Sequence, residues 1–161
     1  MDSTQETIDH INQVQYYLNK ASFELVNRGK VHDASKLKEP EKSYFDRIAG
    51  TVGDLAYGSP EYKAFIDENL KPALEHHYAN NSHHPQYYED GINDMSLFDI
   101  MEMFFDWKAS GERTKGGNIY KSIDINQARF GISKQLTRIL INTAKYLGYE
   151  ESEEAKTTKA N

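Results

Sequence analysis

The residues able to do chemistry are unevenly spread along this chain. All six histidines, His10, His32, His76, His77, His83 and His84, precede Pro85, and none follows it, although the chain runs on to residue 161. Cysteine is absent, which excludes disulfides, thiolate sites and cysteine nucleophiles, so any metal has to be bound through nitrogen and oxygen. His32 and Asp33 are adjacent and offer one borderline and one hard donor, a pair that suits Fe, Mn, Zn, Co or Mg. Further on, Asp99, then Glu102 or Met103, then Asp106 recur at i, i+3/4 and i+7, which lays carboxylates in a stripe beside Leu97, Met101, Phe104 and Phe105. Each feature also has an ordinary reading. A histidine on an apolar face, as His10 is, is commonly a hydrogen-bonded core residue. Asp99 and Glu102 fit a solvated helix edge, and one member of each of the pairs His76-His77 and His83-His84 fits a Tyr- and Asn-rich surface. His32, Asp33 and Asp106 are the leading candidates for a metal centre.

Helices have to position these groups. Ile8, Ile11, Val14, Leu18, Ser22 and Leu25 recur at three- and four-residue steps between a Ser3/Thr4 start and an Arg28-Gly29 stop, which predicts a first amphipathic helix. His10 falls in line with Val14, Tyr17, Ala21 and Leu25, a stripe expected to face the core, where an uncompensated imidazole is costly. Val31 to Leu37 opens a second, shorter helix, interrupted or restarted at Pro40, with Tyr44, Phe45 and Ile48 as its apolar face before Gly50. A loop is expected from Gly50 to Ser59. Pro60 then starts a helix through Tyr62, Phe65, Ile66, Leu70, Ala73, Leu74 and His77, kinked at Pro72, with His77 in phase with the core and His76 out of it. Asn80 to Asp94 reads as loop, and Ser96 caps a helix bearing Leu97, Ile100, Met101, Phe104 and Phe105. The glycine-rich stretch Ser110 to Asn118 reads as a mobile loop, and Ile125 to Leu147 as one long final helix. No strand alternation and no internal repeat is visible. The expectation is an all-α bundle of about five main helices in one domain, residues 1–148, with a polar, acidic, frayed tail at 149–161.

Composition narrows the function classes. With 38% hydrophobic and 12% aromatic residues the chain can build a core. No run of eighteen apolar residues occurs and the first residues lack an apolar export segment, so a cytoplasmic protein without a membrane span is expected. A formal charge of −6 argues against general nucleic-acid affinity and leaves a small molecule as the expected substrate.

The order His, His-Asp, His, His-His, Asp, from His10 to Asp106, resembles the HD superfamily of metal-dependent phosphohydrolases. His32-Asp33-Ala34-Ser35-Lys36 resembles the HDxxK element of HD-GYP-type phosphodiesterases, and His83-His84-Pro85-Gln86 followed by Asp90-Gly91 resembles their HHE…DG element. The Gly-Tyr-Pro signature is absent, and the gap between His77 and His83 is far shorter than in those enzymes. With His83-His84-Pro85-Gln86-Tyr87-Tyr88, Glu102-Met103 and Asp106-Trp107, the whole chain is also similar to small uncharacterised HD-like proteins of phages and bacteria, which implies host cytoplasm if the gene is a phage's.

The resemblance implies that His10, His32, Asp33 and Asp106 hold one ion, with Asp33 bridging to a second held by His77, His83 or His84. The ions would be Mn, Fe, Co or Zn, one or two in number. Lys36 would face a phosphate; independently of the resemblance, Arg113 and Lys115, beside Gly116-Gly117 in a loop that closely follows the carboxylate-bearing helix, are expected to close over an anionic substrate. The implied reaction is hydrolysis of a nucleotide or other small phosphate ester by an activated water, with Asp33 and Lys36 as catalytic residues. Two alternatives share the ligand list. One is a di-iron oxygenase of the HD type, and the other is a non-catalytic accessory protein that keeps the metal or captures a nucleotide.

Overall fold

A computed structural model describes residues 2–50, 59–113 and 117–149. Among them lie seven α-helices: α1 (Thr4–Val31), α2 (Glu41–Ile48), α3 (Pro60–Asn69), α4 (Lys71–Asn80), α5 (Leu97–Glu112), α6 (Ile119–Phe130) and α7 (Lys134–Tyr146). Short 3-10 turns occupy Ala34–Leu37, Pro85–Tyr87 and Gly91–Asp94. The protein is all-α, as its periodicities require. Most of the expected loop after Gly50, the Lys115 neighbourhood and the acidic tail lie outside the described residues.

The chain divides after His32 into two units. The first is α1, which runs through Gly29 rather than stopping there and buries no residue. His10, Ile11, Val14 and Leu18 are exposed and only Ala21 and Leu25 of the stripe are half-buried. The burial expected for His10 is therefore not found. A single helix cannot enclose its own apolar face, whatever its period.

The second unit holds the core. Met103, Phe104 and Trp107 of α5 meet Ile119, Tyr120 and Ile123 of α6 and Leu140 and Ala144 of α7, with Met95 and Ile132 at the edges. In this unit α5 packs on α6 and α6 on α7, while α2 packs on α4 and on the turn at Ala34–Leu37. Large side chains such as Phe104 are almost fully buried, at 2% exposure, and truncation of such a residue typically costs about 3–5 kcal/mol.

Local chemistry explains where helices were divided or extended relative to the periodicity. The predicted helix from Pro60 is two helices, because Pro72 lacks the N–H that would bond back along the chain and Leu70 leaves helical geometry at φ −121°. The predicted final helix is also two. Gly131, in the left-handed region at φ 62°, ends α6, and Ser133 caps α7 by accepting from the Leu136 N–H. Asn118 caps α6 well ahead of Ile125, and α5 continues through Ser110 and Gly111 to Glu112. A capping box formed by Ser96 and Asp99 fixes the start of α5, which in turn sets the rotation at which Glu102 and Asp106 leave that helix.

Candidate metal centre

Asp33 does not lie on a helix. It sits between α1 and the turn at Ala34–Leu37 in the left-handed region, φ 57°, which short polar residues tolerate better than others. That backbone turn separates the roles of its two oxygens. Oδ2 accepts from the Lys36 ammonium at 2.6 Å, and Oδ1 faces two imidazoles. The Lys36 Nζ also lies 5.3 Å from the centre of the Phe45 ring, which confines it to this side of the turn.

His77 reaches the site from α4, and His83 and His84 reach it from the segment that follows that helix. A buried or half-buried carboxylate aligns each of the first two. Glu41, fully buried at the start of α2, accepts from His77 Nδ1 at 2.9 Å and from the Ser35 hydroxyl at 3.0 Å through Oε2. Its other oxygen, Oε1, accepts from His76 Nδ1 at 2.7 Å. Glu102 of α5 lies 3.1 Å from His83 Nδ1. With Nδ1 of each ring turned to a carboxylate, the opposite Nε2 atoms face Asp33 Oδ1, at 3.2 Å from His77 and 3.5 Å from His83. His84 Nε2 lies 2.9 Å from His77 Nε2. Burial, together with the neighbouring His83 and His77 rings, pushes His84 down to about 3, so its imidazole is neutral and able to donate a lone pair across the physiological range.

The spacing of these atoms fits a cation. One ligand atom from each of Asp33, His77, His83 and His84 lies within 4.8 Å of every other. Two donors about 2.1 Å from a shared ion are about 3.0 Å apart at a right angle and about 3.4 Å apart at the tetrahedral angle. The measured 2.9, 3.2 and 3.5 Å cover that range. Imidazole and carboxylate donors of this kind suit a first-row divalent ion.

The remaining expected residues divide. Asp106, half-buried on α5, brings a carboxylate oxygen within 4.8 Å of one from Asp33. His32 ends the first unit and is peptide-bonded to Asp33, and His10 stands exposed on α1. Arg113 caps the end of α5, exposed, with its guanidinium 3.4 Å from the Ser110 hydroxyl. Lys115 lies outside the described residues. His76, with a side chain 39% exposed, approaches Glu41 rather than the cluster, whereas both members of the His83-His84 pair enter it. Glu102 is not a solvated edge: its 13% exposed side chain holds His83. Sequence reasoning missed Glu41 altogether. A signal existed, since Glu41 shares a face with Tyr44, Phe45 and Ile48, three, four and seven residues on.

Asp99 also departs from the solvated reading, though it serves structure. Burial opposes its ionisation, yet bonds from the Ser96 side chain, the Ser82 hydroxyl at 2.7 Å, the Ser96 backbone and the Tyr88 hydroxyl at 2.9 Å outweigh burial and hold the carboxyl below its usual range. A depressed carboxyl contributes stability that is present above its unfolded value, near 3.8, and is lost as pH falls below it. Thermal melts between about pH 6 and pH 2.5 should therefore show an acid limb that flattens in Asp99→Asn. Parallel limbs in the two proteins would refute this role.

Residues 1–146 match a family of unknown function, DUF5662. The chain belongs to that family. No curated protein and no solved structure matches it. No helix among the described residues is long and apolar enough to cross a membrane.

Proposed function

We propose that this DUF5662 protein is a metal-dependent phosphohydrolase acting on a nucleotide or another small phosphate ester, with one or two Mn, Fe, Co or Zn ions at Asp33, His77, His83 and His84 and with Asp106 close to Asp33. The observation that carries the reading is the convergence of two carboxylate-aligned imidazoles on one aspartate oxygen, at separations an ion's coordination sphere requires. The HDxxK-like and HH-containing elements, which supply Asp33, Lys36, His83 and His84, favour phosphate chemistry over other uses of the same donors.

When bound, such an ion polarises a phosphoryl oxygen and lowers the pKa of a water toward neutrality. The chain's own residues supply the rest. Glu41 and Glu102, facing Nδ1 of His77 and His83, would accept from those nitrogens, keep the opposite ring nitrogens available to an ion and fix the ring planes. Asp33 is pulled both ways, with Oδ1 toward the imidazoles and Oδ2 toward Lys36. The Lys36 side chain is 31% exposed, so its ammonium can leave Asp33 for an entering phosphate without crossing the core.

The test is metal analysis after gentle, chelator-free purification, followed by phosphate release from a panel of nucleotides and phosphomonoesters. At least one equivalent of transition metal and a metal-dependent release of phosphate are expected. Metal content well below one equivalent with no uptake on titration would overturn the centre. Full occupancy with no release from any ester would overturn the phosphohydrolase and leave the oxygenase or the non-catalytic binder.

Lys36 gives a sharper test. Lys36→Ala should keep fold and metal, because Lys36 donates to Asp33 but carries no lone pair for an ion. It should lose catalytic efficiency by the worth of a charge-assisted contact, roughly 1.5–3 kcal/mol or about ten- to hundredfold in kcat/KM. Lys36→Arg should not restore it fully, since a planar fork replaces a compact charge. Wild-type rates in Lys36→Ala would refute the phosphate role.

A further inference from the structure

The C-terminal helices of the second unit carry a different chemistry. From Ile125 to Tyr149 the sequence contains Arg129, Lys134, Arg138 and Lys145 and no acidic residue, in a chain whose formal charge is −6. Three of these cations line a shallow, open cleft of about 460 Å³ along α7, with Thr137, Ile141 and Asn142 of the same helix and Gln127 of α6 completing its lining. None of these lining residues belongs to the cluster at Asp33.

The cations are placed unlike ordinary solvating residues. Lys134, Arg138, Ile141 and Lys145 lie at i, i+4, i+7 and i+11, so they form one stripe, spaced about 6 Å and then about 10 Å along the axis between successive cations. On a solvated helix such positions usually alternate with Glu or Asp one turn away. Here α7 has no acidic residue, and among the described residues no ion pair engages Lys134, Arg138 or Lys145. Lys134 also occupies the first turn of α7, the end of a helix where a cation is unfavourable and an anion is welcome. Half-buried Ile141 adds an apolar residue to the lining, and Gln127 and Asn142 add two carboxamides. Its volume, open to solvent on one side, falls in the range of small-molecule sites.

We propose that this cleft binds a nucleoside polyphosphate, with its phosphates on Lys134, Arg138 and Lys145 and its nucleoside laid on Ile141 between Gln127 and Asn142. The site is separate from the candidate metal centre and does not depend on the reading of that centre.

The experiment is equilibrium dialysis of the full chain against radiolabelled ATP at low ionic strength in excess EDTA, which removes any contribution from bound cations. Saturable, salt-sensitive binding is expected. Replacing two exposed cations in Arg138→Gln/Lys145→Gln should weaken it about tenfold or more, since each phosphate contact is charge-assisted. The variant's helical circular dichroism and Tm should match wild type, because neither side chain enters the core. No retention above the dialysis control would overturn the proposal. So would wild-type affinity in Arg138→Gln/Lys145→Gln. Inorganic tripolyphosphate displacing the label as well as unlabelled ATP would overturn the nucleoside half of the assignment.

Discussion

Asp33→Ala, purified without chelator, is expected to carry only background metal, and His83→Ala the same, whereas His76→Ala keeps its ion. The ranking follows from position. Asp33 Oδ1 is the atom on which His77 Nε2 and His83 Nε2 converge, so removing it deletes a shared donor. His83 is 2% exposed and its ring is aligned by Glu102, so Ala there removes a donor and leaves a cavity that water alone would fill. His76 approaches Glu41 from the solvent side, and its loss leaves the His77 bond to the other oxygen intact. Loss of a directly placed donor should exceed the roughly 10–100-fold that follows loss of an outer partner. Metal analysis of the three preparations decides it, and equal occupancies would refute the ranking.

Glu41 carries the second large effect, and its two readouts separate. Glu41→Gln keeps the volume but offers only one acceptor oxygen where His76, His77 and Ser35 now meet two. Metal affinity is expected to fall about 10–100-fold as His77 loses its fixed orientation. Glu41→Ala goes further, because the buried His77 Nδ1 and Ser35 hydroxyl lose their acceptor in a fully enclosed place. A cost of about 1–3 kcal/mol for each group left without its acceptor is expected in excess EDTA, or a Tm lower by roughly 10 °C for a chain of this size. Melts that superimpose on wild type would show that Glu41 is not the acceptor on which these groups depend.

Much of this arrangement was legible in the sequence. Helical periods around Phe104, Ile132 and Leu140 follow from apolar spacing, although Leu97, Met101 and Phe105, read as one face with Phe104, stand exposed while Met103 and Trp107 are buried, and Ser96 announces its helix through a capping pattern. The phase of α4 separates His77 from His76 by one residue and a hundred degrees of rotation. The missing pieces share a cause. Glu41 and Glu102 are acids whose burial is satisfied by histidines 36 and 19 residues away, respectively, and nothing local to either residue records that partner. Gly131 and Ser133 do mark a break, but the apolar period continues across it from Ile125 to Leu147, and periodicity outweighed the caps. The stripe containing His10 shows the reverse, a clear amphipathic signal in a helix that buries nothing within its own unit.

The left-handed backbone at Asp33 sets function against robustness. An aspartate held at φ 57° forfeits part of the conformational energy that glycine at the same position would keep. Asp33→Gly should therefore leave the metal-free chain as stable as wild type or more so, while deleting the oxygen on which His77 and His83 converge. A library sorted for thermal tolerance alone would drift toward glycine at this position, and only a screen that also scores bound metal would bring the aspartate back.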